Sequence, residues 1–187
     1  MKFFIKNMVC ARCKMVVEGE FQRAGLQVLR VDLGSVEIAD QSLDAKRQEG
    51  LEQQLEIMGF SLLTDSKLKD IERIKTLIIE LVHAGDNAID QNLSAYLSTR
   101  LHKDYATLSS LFSQHESYTI EKYFIKQKIE RVKELLSYNE LTLNEIAFKL
   151  NYSSVAHLSS QFKKITGQTP SAFKKSTKQY RQELDQL

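Results

Sequence analysis

The chain has 187 residues, room for one large domain or two small ones, and 42% of them are apolar, enough for ordinary cores. No apolar run is long enough to span a membrane, and the N-terminus, MKFFIKNMVCARCK, has too short an apolar stretch for a signal peptide; the expectation is a cytoplasmic protein with no membrane partner. The net charge of +2 is uneven: residues 1–63 carry 8 Lys/Arg against 9 Asp/Glu, residues 64–118 carry 6 against 8, and residues 119–187 carry 12 against 7. That last excess suits a polyanionic partner, though a solvated helical surface would look the same.

Residues 2–8, KFFIKNM, read as a short strand. Val16, Val17, Phe21 and Leu26 fit a helix ending near Gly25. LQVLRVDL (26–33) alternates like a half-buried strand, Gly34-Ser35 is a turn signal, and VEIAD continues as a further strand. Residues 45–58 follow helical spacing through Leu51, Leu55 and Met58; Gly59 ends that helix, and Phe60 to Leu63 make a last strand. The order is βαββαβ, the ferredoxin-like split arrangement. The two cysteines, Cys10 and Cys13, lie between the first strand and the first helix. They are too close together for a structural staple, and in a reducing cytosol such a pair binds metal or does redox work.

Residues 66–83 form an amphipathic helix through Leu68, Ile71, Ile74, Leu77, Ile78 and Leu81, broken at Ala84-Gly85-Asp86-Asn87. Its apolar stripe must be covered, which would couple two domains or form the seam of a homodimer. Everything beyond reads as helical, with one long connecting helix at 119–137. In the stretch from Thr142 to Lys175, Ile146, Ala147 and Leu150 share one face. Asn151 sits where the chain must turn, and Ser153 and Ser154 are caps for the next helix. Leu158 and Phe162 lie four apart on its buried side, with Gln161 placed toward solvent. Gly167 suits a helix end, and Thr169-Pro170 reads as an N-cap followed by proline at the first helical position. There is one internal repeat: YLSTRLHKDYATLSSLF (96–112) echoes AFKLNYSSVAHLSSQF (147–162), with Ser98 at the helix crossing, His102 at the turn and Asp104 at the cap.

These residues closely resemble the paired helix-turn-helix units of AraC-type transcription regulators, over roughly residues 88–175. The resemblance implies that each unit lays a recognition helix in a major groove of duplex DNA. A connecting helix of nineteen residues spans roughly 28 Å, close to one turn of B-DNA at about 34 Å. Carried over position by position, the DNA-facing residues are Ala106, Ser109 and Ser110 on the first recognition helix, and Val155, Ala156, Ser159 and Ser160 on the second. The family usually has arginine at the places of Ser110 and Ser160. Serine makes single hydrogen bonds where arginine grips guanine with two, so the expectation is modest base readout and more reliance on phosphate contacts and DNA shape. The phosphate candidates are Lys163, Lys164, Lys174, Lys175 and the helix start at Thr169; the alternative for the lysines is a solvated surface. His157 is either a phosphate contact or a packing residue. His83, His102 and His115 have no ligand spacing.

Met8-Val9-Cys10-Ala11-Arg12-Cys13, at a strand–helix junction in a βαββαβ unit, resembles the heavy-metal-associated domain of copper chaperones and copper pumps, over about residues 1–64. This implies a soft ion such as Cu(I) held by Cys10 and Cys13, with Met8 in the core and Phe60 near the site. Zinc normally wants four ligands. Two departures stand out: Asn7 replaces the family's glycine, and Arg12 adds a positive charge between the thiols. A fold retained only as a contact surface, and a thiol redox sensor, remain alternatives.

The fold class expected is α+β: a ferredoxin-like domain at 1–64, a connecting helix and linker at 65–87, an all-α double helix-turn-helix domain at 88–175, and a tail at 176–187. The function expected is that of a bacterial, sequence-specific transcription regulator responsive to a soft metal. The alternative is a metallochaperone-like protein whose helical half docks a protein partner. No catalytic constellation appears, so no enzyme is expected; a thiol-disulfide enzyme is disfavoured because βαββαβ is not the thioredoxin order.

Overall fold

A computed structural model describes residues 1–84 and 92–175. The break expected at 85–87, the first residues of the 88–175 segment and the tail at 176–187 lie outside the described residues. The chain divides into two compact units, Met1–Thr76 and Leu77–Leu187.

In the first unit, strands β1 (Lys2–Lys6), β2 (Val28–Asp32), β3 (Ser35–Ile38) and β4 (Ser61–Leu63) form one antiparallel sheet in the order β2-β3-β1-β4. Helices α1 (Ala11–Arg23) and α2 (Ala45–Ile57) intervene, giving the element order βαββαβ. Period-two alternation explains the sheet. Ile5 is fully buried, while Phe3 on the same face packs edge-on against Phe21 of α1 at 5.5 Å. Phe4 points the other way and lies under the ammonium of Lys69. Val17 and Phe21, four apart on α1, join Leu51 and Leu55, four apart on α2, in one core with Met8, Val36, Ile38 and Phe60. Gly34 closes the β2–β3 turn with φ at +74°, and a Cβ there would come within 2.8 Å of Thr76 Oγ1. A side chain at that turn would therefore be both strained and blocked.

Helix α3 (Ser66–Ile79) runs into a π-helical turn, Glu80–Ala84. The expected helix over 66–83 is thus present, but its last turn widens, and Ala84 belongs to that turn rather than to a break. Along its apolar stripe, Ile71 and Ile74 in the first unit and Ile78, Leu81 and Val82 in the second are buried, while Leu68 is 40% exposed.

The rest of the second unit, among the described residues, is helical: α4 (Leu93–Leu101), α5 (Tyr105–His115), α6 (Ile120–Tyr138), α7 (Leu143–Lys149), α8 (Val155–Thr166) and α9 (Pro170–Lys175). One core joins Ile129, Val132, Leu135 and Leu136 of α6 to Ile146, Ala147 and Leu150, then Tyr152, Leu158, Phe162 and Phe173. At the other end of α6, Tyr123 stacks on Tyr118 and meets Phe112 of α5 at 5.9 Å. No described helix is long and apolar enough to cross a membrane.

Candidate functional site

Two helix-turn-helix units, α4–α5 and α7–α8, are joined by α6. The turn of each passes through a left-handed residue at the expected place, His102 with φ +53° and Asn151 with φ +53°. Asp104 then caps α5, accepting from the backbone N–H of Ala106 at 3.0 Å and of Thr107 at 3.4 Å. Ser154 caps α8, accepting from the N–H of His157 at 3.0 Å. Polar side chains at these caps supply acceptors that the first helical turn lacks. From left-handed residue to cap, the first turn is one residue shorter than the second.

The internal repeat goes further than the matched sequence. The succession of buried, half-buried and exposed positions from Tyr105 to Ile120 is repeated position for position from Val155 to Pro170. Leu108 matches Leu158, Phe112 matches Phe162, and all four are fully buried. Thr119 opens α6 as an N-cap through the N–H of Lys122, and its counterpart Thr169 caps the next helix through the N–H of Ala172.

Every DNA-contact candidate lies at the surface. Ala106, Ser110, Ala156, Ser160, Lys163, Lys164, Thr169, Lys174 and Lys175 are exposed, and Ser109, Val155 and Ser159 are half-buried at equivalent places. Two hydroxyls are already engaged: Ser110 Oγ accepts from Gln114 Nε2 at 3.0 Å, and Thr169 Oγ1 serves as its cap. The lysines are unevenly shared. Lys163 and Lys164 correspond by the repeat to Ser113 and Gln114, and Lys174 and Lys175 to Phe124 and Ile125, so the second unit holds these charges alone.

Four residues carry more than their sequence positions suggested. Gln161 does not face solvent freely: its Oε1 accepts from the hydroxyl of Tyr152 at 2.8 Å, and Tyr152 is buried. A tyrosine that closes the core needs such an acceptor, which corrects the placement of Gln161. Lys128 on α6 is buried, with its ammonium 3.9 Å from the Tyr152 ring centroid and 5.5 Å from that of Phe124; burial lowers its pKa to about 8. His157 is held between the edge-on ring of Tyr152 at 5.3 Å and Ser153 Oγ, 3.0 Å from Nδ1, yet it stays exposed. His83, on the π-helical turn, meets Gln127 at 3.1 Å, and burial lowers its pKa. None of these pairings leaves a periodic trace in the sequence.

In the first unit, Cys10 is the N-cap residue of α1 without capping through its side chain, and Cys13 lies in the first helical turn. Their sulfurs stand 3.3 Å apart, and both thiols are free. Burial pushes Cys10 up, but the N–H groups and thiol donated by Cys13 and Arg12, with the Arg12 charge, outweigh it, so its pKa falls below the ordinary thiol value. Burial pushes Cys13 up, and the neighbouring Cys10 adds to this. Two sulfurs this close at a helix start are a donor set of the kind soft cations take. Among the described residues no third His, Cys, Asp or Glu joins them. Asn7 is left-handed at φ +71°, which explains why glycine would suit this place. Its Nδ2 donates to Gly59 O at 2.9 Å, and its N–H to Glu72 Oε1 at 3.1 Å, so the thiol loop is pinned to the α2–β4 turn and to α3. Met8 is a core residue, 1% exposed, and Phe60 is buried in the same core, against which Cys13 packs.

Residues 97–176 match the model of a family described as "Helix-turn-helix domain". Among solved structures, the crystal structure of a DNA-binding transcriptional dual regulator from Escherichia coli K-12 is similar at 16% identity and a TM-score of 0.47, covering 54% of this chain and 88% of that one. No curated protein matches the chain.

Proposed function

We propose that this protein is a sequence-specific DNA-binding transcription regulator of the AraC type, whose helices α5 and α8 enter two successive major grooves. The observation that carries this reading is the exact-period repeat of buried and exposed positions around α5 and α8, which presents two equivalent helix faces across α6. The nineteen residues of α6 rise roughly 28 Å, near the B-DNA repeat of about 34 Å. On each face the side chains are small: Ala106, Ser109 and Ser110, then Val155, Ala156, Ser159 and Ser160. They allow close approach of the helix backbone to the base edges and give few bidentate contacts. Lys163, Lys164, Lys174 and Lys175, with the helix start at Thr169, supply phosphate contacts, so the second unit grips the backbone more strongly than the first.

The same reading assigns the first unit, a ferredoxin-like βαββαβ fold by its order, to holding a soft metal ion such as Cu(I). Cys10 and Cys13 would hold it through their sulfurs, and the ion would supply a link between the two ends of the thiol pair in the loop pinned by Asn7. Selection of random duplexes by the full chain at low salt tests the DNA reading: an enriched motif with two half-sites about one helical turn apart is expected, and enrichment of nothing refutes it.

A further inference from the structure

We infer that the groove between α1 and α2 binds a free L-α-amino acid with a neutral side chain, taken as its zwitterion. A cavity of about 360 Å³ lies there, within the range of small-ligand sites, and it is separate from the thiol pair. Its walls are Glu20 and Arg23 from α1, and Arg47, Gly50, Leu51 and Gln54 from α2.

The chemistry of these walls is two-signed. Glu20 is only 5% exposed; Oε1 accepts from Arg23, and Oε2 has no hydrogen-bond partner among the described residues. Oε2 is not one of the fully buried unsatisfied side-chain atoms, so it stays open to water or to a ligand's donor. Arg47 is fixed at the end of α1 by donating Nη2 to the carbonyls of Ala24 at 3.1 Å and Gly25 at 3.4 Å, and no carboxylate neutralises it among the described residues. An ammonium group placed on Glu20 Oε2 and a carboxylate placed on the Arg47 guanidinium satisfy both at once. Leu51 offers the apolar wall for the ligand's side chain, and the Gln54 amide stands at the rim.

Gly50 adds a second observation. It lies inside α2, where glycine costs helix stability relative to alanine. A Cβ at this position would meet nothing within 4 Å, so packing does not demand glycine. What its missing side chain does is keep the cavity open.

The test is calorimetric titration of the full chain with each neutral L-amino acid, then with the N-acetyl and the amide derivative of the best binder. The expected dissociation constant is below about 1 mM for the free amino acid. It should rise about tenfold or more for each derivative and for Glu20→Gln and Arg47→Gln, since each removes one charge-assisted contact. Because Arg47 also caps α1, Gly50→Leu is the decisive variant: it should fold with an undiminished melting temperature and bind nothing. The inference is overturned if no neutral amino acid binds, if the acetylated and amidated forms bind as well as the free one, or if Gly50→Leu binds like wild type. The test involves neither DNA nor metal, so its outcome is independent of the function proposed above.

Discussion

Replacing Phe162 with alanine should be among the most damaging single changes in the helical unit. The side chain is fully buried, its ring meets Phe173 edge-on at 5.6 Å, and it belongs to the core that joins α6, α7, α8 and α9. Loss of the transferred apolar surface costs about 2–3 kcal/mol. A residual cavity of roughly 80 Å³, at about 24 cal/mol per Å³, adds about 2 kcal/mol. The sum, about 4–5 kcal/mol, corresponds to a fall of about 15 °C in melting temperature for a unit of this size. Gln161→Ala, next to it in sequence, removes only the acceptor for the Tyr152 hydroxyl and should cost about 1 kcal/mol. Urea denaturation followed by far-ultraviolet circular dichroism measures both. If Phe162→Ala cost under about 1 kcal/mol, or if the two variants were equally destabilised, the assigned face of α8 would be wrong.

Changing both Lys163 and Lys164 to alanine should weaken binding to all duplexes alike and flatten the log–log salt slope by about 2, whereas Ser159→Ala should alter preference at one or two base positions; anisotropy titrations at several salt concentrations separate the two. Residues Cys10 and Cys13 should together hold one Cu(I), so a competition titration with a Cu(I) chelator should show the Cys10→Ser/Cys13→Ser variant losing tight binding; equal competition by wild type and variant would end the metal proposal. Burial lowers Lys128 from 10.5 to about 8, so between those values the unfolded chain binds more protons and wild-type stability gains as pH rises. The stability of wild type relative to Lys128→Met should therefore improve from about pH 8 to about pH 10 and stay level below pH 8; a difference flat across that range would contradict the burial of the ammonium.

The elements were legible where periodicity carries the information. Alternation in LQVLRVDL and the i, i+4 pairs Val17–Phe21, Leu51–Leu55 and Leu158–Phe162 announce their own faces, because burial repeats with the backbone. The repeat was legible through Leu108, Ser109, Ser110 and Phe112, and the caps through Asp104 and Ser154, since side-chain acceptors are local signals. What stayed hidden depends on partners far apart in the chain. Gln161 is committed by Tyr152, Lys128 by two aromatic rings, and Asn7 by Gly59 and Glu72. The π-helical turn at Glu80–Ala84 was hidden as well, because no glycine or proline marks where the helix widens. The contact residues proposed for DNA came from a family pattern, and the structure adds their exposure and equivalence rather than their partners.

The most direct measurement is hydroxyl-radical footprinting of the full chain on its selected duplex. Two recognition helices at either end of α6 predict protection on one side of the duplex in two patches about 10 base pairs apart, with Ala156→Arg altering one patch and Ala106→Arg the other. A single protected patch, or protection that neither substitution changes, would contradict the claim that α5 and α8 read adjacent grooves.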